Sequence, residues 1–259
     1  MAARQSVGIG ECMKFYHFSI DDIFDSLIEV TDSNIALFEH PFFAFLQSLH
    51  VDYAISVELY LFYQKMLNGR LRNLSQVSSR LNKYFISAPW LRLGPHALDY
   101  DTAPYIQSPA EQRKTFNAIY EEIARFAGSN NMSRWLRLHY FSESYELVAY
   151  WQSKGVDTLL LTDKPAVAYC LPNKEKETLA NSGFAKYQGL NLRRSHERME
   201  NLVAEALVGS ELQARLAIHL NKHGYLVLFS HEINMSDTKI QDTTRECLSY
   251  VKQQGFISY

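Results

Sequence analysis

The chain has 259 residues, 47% hydrophobic and 21% charged, which is enough for one substantial core and too apolar for global disorder. A formal net charge of -2 leaves no electrostatic footprint for nucleic acid or an anionic membrane. The three cysteines, Cys12, Cys170 and Cys247, are widely spaced and form no CxxC pair, which excludes a zinc ribbon, a thioredoxin-type site and a dense disulfide framework.

Met1 to Glu11 is polar and lacks an apolar stretch of signal-peptide length. No run approaches the ~18 apolar residues of a membrane span. The expectation is a cytoplasmic protein with no membrane partner, residues 1–12 being an extension of a single α/β domain over 13–259.

Lys14 to Ile20 alternates and is rich in aromatics, as a strand should be, and it closes on Asp21-Asp22. Helical periodicity follows through Phe24, Leu27 and Ile28 and then from Ile35 to Leu49. Val51 to Val57 reads as the second strand, with Glu58 to Leu67 and Leu71 to Phe85 as helices. A third strand, Trp90 to Leu93, ends at Gly94-Pro95-His96. Pro104 and Pro109 mark a loop before a helix from Ala110 to Ala127, whose apolar stripe is Phe116, Ile119, Ile123 and Phe126. Trp135 to Phe141 is the fourth strand, and Ser142 and Ser144 offer caps for the segment ending near Lys154. Val156 to Leu161 is continuously apolar, like a buried parallel strand. Between Pro165 and Leu192, Ala166 to Leu171 can pair with Tyr187 to Leu192 as a hairpin. Helical patterns at Glu197 to Leu207 and Glu211 to His223 precede a strand, Tyr225 to Phe229, and a last helix, Thr238 to Gln253.

Strands alternating with helices predict parallel βα units. An incomplete barrel fits better than an open sheet, because Gly8-Ile9-Gly10 precedes the first strand and no dinucleotide fingerprint follows it. Asp21-Asp22, His96, Arg137 with His139, Asp163 and His231-Glu232 all fall at or just past the carboxyl ends of predicted strands. Catalytic groups collect at that edge in α/β folds. Adjacent carboxylates repel unless a cation or hydrogen bonds stabilise them, so Asp21-Asp22 reads either as part of a site or as a cap for the next helix. His40, His50, His196, His219 and His223 have no such placement and read as solvated or packing residues. Aromatics, such as Tyr16 and Trp90, serve sugar stacking or ordinary core packing.

Three of these segments resemble motifs of the polysaccharide deacetylases with chitooligosaccharide-deacetylase homology. They are Phe18-Ser19-Ile20-Asp21-Asp22, Arg137-Leu138-His139-Tyr140, and the run from Leu226 to His231-Glu232. The resemblance spans Lys14 to Glu232 and implies an α/β fold, a distorted, incomplete barrel of seven βα units holding a divalent metal, zinc first and manganese, nickel or cobalt as alternatives. By the resemblance Asp21 is the general base, Asp22 a metal ligand and His231 the general acid. Arg137 orients Asp21, and the backbone amide near Tyr140 shares the charge of an oxyanion. The family's second motif carries two histidines four residues apart, whereas here His96 is followed at that distance by Tyr100, with Asp99 and Asp101 beside it. His139, standing where the family usually has proline, is the first candidate for the missing ligand, before Asp99 and His231. Arg198 and Glu200 are further candidates for the site.

The function implied is a metal-dependent hydrolase that deacetylates an amino sugar or glycan precursor, with carbohydrate as its partner. Two alternatives stand beside it: a catalytically inactive carbohydrate-binding or scaffolding protein, favoured by Tyr100, and a metal-dependent glycosidase. The glycosidase needs a second acid across from Asp21, for which Asp163 and Glu232 are the candidates. Pro165 to Leu207 is long for a connection and reads as a lid or as a contact between copies of the chain, leaving homo-oligomerisation open.

Overall fold

The structure is a computed structural model that describes residues 14–142, 145–162, 164 and 171–259. The extension at 1–12 with its glycines and Cys12, the cap at Ser144, the acid at Asp163 and the strand expected from Ala166 through Cys170 lie outside the described residues.

Chain order begins with β1 (Phe15–Ile23), α1 (Asp25–Asp32), α2 (Pro41–Tyr53), β2 (Val57–Phe62), β3 (Gln64–Leu67), β4 (Arg70–Asn73), α3 (Asn82–Ser87) and β5 (Leu91–Ala97). It continues with α4 (Pro109–Phe126), β6 (Trp135–Leu136), α5 (Val148–Ser153), β7 (Thr158–Leu161), α6 (Asn173–Ser182), β8 (Phe184–Tyr187), β9 (Leu190–Arg194) and β10 (Glu197–Arg198). It closes with α7 (Met199–Ala204), α8 (Gly209–His223), β11 (Tyr225–His231), α9 (Thr238–Gln253) and β12 (Ile257–Ser258).

Two parallel arcs form the centre. One runs β10-β11-β1-β2-β5, with β12 added on β1, and the other runs β6-β7-β9, with β8 folded back antiparallel on its edge. Both seams between the arcs carry backbone contacts. Leu93 bridges Met132 in parallel, and Ser133 N–H donates to the Leu93 carbonyl at 2.8 Å. At the other seam Ser195 N–H reaches the Leu161 carbonyl at 2.9 Å and His196 N–H reaches the Val227 carbonyl at 3.0 Å. The segment from β9 to β10 therefore bonds β7 with its first half and β11 with its second.

Strand β1 shows why the sequence takes this place. Its side chains alternate between two buried faces. Tyr16, Phe18 and Ile20 join the apolar core, while His17, Ser19 and Asp21 form the other, equally buried column. His17 stacks on Trp135 at 5.2 Å, and Ser19 and Asp21 meet Arg137. The space between the arcs is thus lined with buried polar groups, of which Ser19, Asp21 and Arg137 satisfy one another while His17 keeps an unpartnered Nδ1.

The α/β class, the parallel order and the first and last helices follow the sequence expectation, and six segments correct it. Val51 to Val57 is not a strand: α2 continues to Tyr53 and stops at Ala54, whose φ of 55° is left-handed. Glu58 to Leu67 is not a helix but β2 and β3, since β2 is buried along its whole length and shows no polar face. Leu71 to Phe85 opens instead as β4, paired with β3 across Asn68-Gly69, both at positive φ (51° and 74°), the backbone of a tight hairpin turn. Trp135 to Phe141 is strand only at Trp135–Leu136, because Tyr140 and Phe141 (φ 54° and 53°) bend the chain. The hairpin on the second arc pairs Phe184–Tyr187 with Leu190–Arg194, after an unexpected helix, α6. Glu197 to Leu207 divides into β10 and α7. No helix among the described residues is long and apolar enough to cross a membrane.

Candidate metal and catalytic site

The carboxyl ends of β1, β5 and β11 and the turn after β6 surround a cavity of about 320 Å³. Asp21, Asp22, His96, Arg137, His139, Tyr140, Arg198 and His231 all line it, so the structure brings together the expected base and acid with three of the expected metal ligands. Two neighbours on a strand ordinarily point to opposite faces. Here Asp22 has a φ of 64°, and the pairing of β1 with β2 shifts register between Ile20 and Ile23. Asp is one of the few residues that enters this conformation at modest cost, and the bulge turns both carboxylates toward one cavity. Neither caps α1: its N-cap position is Phe24, without a side-chain cap.

Asp22, His96 and His139 present ligand atoms within 4.8 Å of one another. Oδ1 of Asp22 is 3.2 Å from Nε2 of His96 and 3.6 Å from Nδ1 of His139, and the two ring nitrogens are 3.2 Å apart. The hydrogen bonds on the far side of each ring fix what these nitrogens carry. Nδ1 of His96 faces the Arg137 carbonyl at 2.6 Å, and Nε2 of His139 faces the Tyr100 carbonyl at 3.0 Å. A carbonyl only accepts, so each ring donates there and turns a lone pair toward Asp22. Three acceptors with no hydrogen between them need a positive charge, either a shared proton or a metal ion. Orientation of ligand imidazoles by backbone carbonyls is the usual outer shell of a metal site.

The charges fit. Burial and the adjacent His96 push His139 down to about 4, so its ring is neutral at physiological pH. Burial opposes the Asp22 charge, but where the shared proton sits on His96 its hydrogen bond to the carboxylate, with the positive charge of the neighbouring histidines, holds the Asp22 carboxyl below the usual range. Asp99, the second candidate for the missing ligand, is turned away, accepting from Gln64 and from the Thr102 backbone at 2.9 and 2.8 Å.

Beside this trio, Arg137 Nη1 donates to Asp21 Oδ1 at 3.0 Å and to Ser19 Oγ at 2.7 Å. Its Nε and Nη2 lie 3.3 and 3.2 Å from Ser195 Oγ, and the guanidinium carbon sits 4.0 Å from the Phe229 ring centroid. The pair is almost wholly buried, at 1% and 4% side-chain exposure, so its geometry is set by packing.

His231 is paired with Glu200. Oε1 of Glu200 receives Ser230 Oγ, His231 N–H and Asn234 Nδ2 at 2.8, 2.8 and 2.9 Å and faces His231 Nδ1 at 3.1 Å. Burial opposes ionisation of Glu200, yet the hydrogen bond and charge of His231 bring its carboxyl down to about 2. Burial likewise disfavours the His231 cation, but Glu200, Asp21 and Asp22 outweigh it and raise the ring above its ordinary value. Nδ1 of His231 thus faces a carboxylate that favours the protonated ring. In the sequence only the closeness of Glu200 to Arg198 hinted at this.

Glu232 does not line the cavity. It accepts the backbone N–H groups of Phe24, Asp25 and Ser26 at 2.8, 2.9 and 2.8 Å, closing the start of α1 from another element. Tyr140 places its side chain at the rim, 42% exposed, near Tyr100 and Tyr105. Of the histidines expected to be solvated or packed, His40 pairs with Glu29 and His50 stacks on Trp90 at 4.5 Å. His196, His219 and His223 instead form a second cluster of potential ligands; the four-residue spacing of His219 and His223 on one helix was a signal the sequence carried, while His196 comes from a distant segment.

No family model matches the chain, and no curated protein matches it. Similar solved structures do exist. A CE4 family pseudoenzyme from Bacillus anthracis is 12% identical over 95% of this chain, with a TM-score of 0.53. A mutant of it with restored enzymatic activity is 13% identical over 95% of this chain, with the same TM-score of 0.53. The chain shares the fold of these CE4 structures. It also resembles the 4-alpha-glucanotransferase of Thermococcus litoralis, at 11% identity over 95% of this chain and a TM-score of 0.56. It spans 64% and 66% of the two CE4 chains and 37% of the glucanotransferase. The fold agrees with the resemblance carried by the motifs, and at this identity it carries no activity with it.

Proposed function

We propose that the chain is a divergent polysaccharide-deacetylase-type hydrolase, a distorted barrel of seven βα units that removes an acyl group from an amino sugar or glycan precursor. The observation that carries this reading is the convergence of three lone-pair donors, Asp22, His96 and His139, in the cavity that also holds the Asp21–Arg137 and His231–Glu200 pairs.

The donor set of one carboxylate and two imidazoles suits zinc, with manganese, nickel or cobalt as alternatives. A divalent ion bound there would polarise the acyl oxygen and acidify the attacking water. Asp21, fixed by Arg137, takes the proton from that water. Arg137 keeps the carboxylate from rotating away, and the backbone at Tyr140 lies where it can share the charge that develops on the acyl oxygen. His231 enters the reaction protonated and delivers Nε2–H to the departing amine, while Glu200 retains Nδ1–H and fixes the ring. Arg198 and the Tyr100–Tyr140 rim are placed to hold sugar hydroxyls and faces.

Acetate release from acetylated amino sugars, measured with the wild type and with Asp21→Asn, tests this reading. Release that disappears in Asp21→Asn while metal remains bound is expected. No release from any acetylated sugar by the metal-loaded wild type would count against it.

The inactive reading is favoured by Tyr100, which stands where a second histidine is expected, and by the fold likeness to a pseudoenzyme. Of the two acids named for the glycosidase reading, Glu232 points elsewhere and Asp163 lies outside the described residues, among which Asp21 and Asp22 are the carboxylates of the cavity lining.

A further inference from the structure

His219 and His223 lie one turn apart on α8, so both rings leave the same face of the helix. His196 comes from the link between β9 and β10, and the three rings offer ligand atoms within 4.8 Å of one another. Nitrogens held about 2.1 Å from a shared tetrahedral ion are about 3.4 Å apart, so small side-chain shifts bring the rings to an ion. The cluster is distinct from the cavity above. His196 bonds to Val227, four residues before His231 on β11, which is about 13 Å along a strand.

The hydrogen bonds again decide what each ring presents. Nε2 of His219 meets Oε1 of Glu197 at 2.6 Å, and Nδ1 of His223 meets the Ser182 carbonyl at 2.9 Å. Both partners are acceptors, so both rings donate there and keep their other nitrogen as a lone pair. Glu197 is itself held by Arg215 Nε at 2.6 Å. His196 is the reverse case. Its Nδ1 accepts the Val227 N–H at 2.9 Å, so its Nε2 carries the hydrogen. That Nε2 is buried without a partner, in a residue 5% exposed. Two half-buried imidazoles, each with a nitrogen left over from its hydrogen bond, therefore stand beside one orphaned buried donor.

We infer that His219 and His223 bind a divalent transition ion, of the zinc, nickel or cobalt class, whose remaining water is fixed by Nε2–H of His196. Carboxylate and carbonyl partners behind the ligand imidazoles are the outer shell such ions use. The ion ties α8 to the end of α6, where Ser182 precedes Gly183, and to the strand that crosses between the arcs. Gly183 admits the close approach: a Cβ there would lie 2.7 Å from Nδ1 of His223. The role that follows is structural, fastening α8 across the seam.

The test uses full-length protein carrying Asp22→Asn and His96→Ala, so that the cavity site is disabled. Cobalt is titrated in and followed by calorimetry and visible absorption. One ion per chain is expected, with a rise in Tm, and both are lost when His219→Gln and His223→Gln are added. His196→Gln, which keeps an N–H donor, is expected to retain the ion. A natively folded Asp22→Asn, His96→Ala protein that binds no cobalt, zinc or nickel overturns the inference. So does binding that survives His219→Gln and His223→Gln. Loss of the ion in a folded His196→Gln protein overturns the outer-shell role given to His196.

Discussion

His139 Nε2 lies 3.0 Å from the backbone carbonyl of Tyr100, the residue that stands where a second metal histidine is expected four positions after His96. The main chain of Tyr100 thus orients the imidazole that the sequence offers as the alternative ligand. Tyr100 acts here by a carbonyl, which any side chain provides, so its own ring is free to serve the rim.

His139→Ala should accordingly weaken metal binding by more than the roughly 10–100-fold that removal of an outer-shell partner costs. Tyr100→Phe should change it little. Calorimetric titration with zinc on both variants checks the pair, and equal losses would contradict this assignment.

Arg137→Met should destabilise the protein by about 3–5 kcal/mol, because it strands the buried carboxylate of Asp21. Adding Asp21→Asn should restore part of that loss, since the uncompensated charge is then gone. Urea unfolding of the single and double variants measures the coupling.

The pH dependence follows from His231 and Glu200. The proposed acid is active while His231 is protonated, and its folded value lies above 6.5. Rate should hold below that value and fall as pH rises through it. Glu200→Gln removes the carboxylate that supports the cation, so the falling limb should move to lower pH. The same pairing contributes to stability. Glu200 stands at about 2 against an ordinary 4.5, so its share is present above 4.5 and is lost as pH falls toward about 2. Unfolding by urea at a series of pH values gives this slope.

Glu232→Gln separates the hydrolase from the glycosidase reading. Glu232 serves the backbone of α1, so the change should cost about 1–3 kcal/mol of stability. Turnover by the folded variant should stay within about tenfold of the wild type. An essential catalytic acid would lose about 10²–10⁴.

Much of this was legible in the residues. β1, β5 and β11 each end on the group that the cavity uses, because a parallel sheet places all carboxyl ends at one edge. What stayed hidden has physical causes. The left-handed backbone of Asp22, which turns two adjacent carboxylates to one side, leaves no trace in an alternating pattern. β2 hid because its polar residue, Glu58, is buried with the rest of the strand, and burial pushes that carboxyl up to about 7. Asn68-Gly69 is a hairpin signal that the helical reading of its neighbours overrode. Glu200 was a candidate by sequence, but its pairing with His231, and the joining of His196 to His219 and His223, depend on contacts across long stretches of chain, which local spacing does not report.

Metal content of the purified chain tests the central claim most directly. It is measured on protein carrying His219→Gln and His223→Gln, so that the cavity site alone is counted, before and after adding Asp22→Ala and His96→Ala. One divalent ion per chain, lost with those two changes while the fold persists, is the result expected. A folded protein that stays metal-free after incubation with zinc, manganese, nickel and cobalt would contradict the hydrolase account and leave a carbohydrate-binding or scaffolding role in its place.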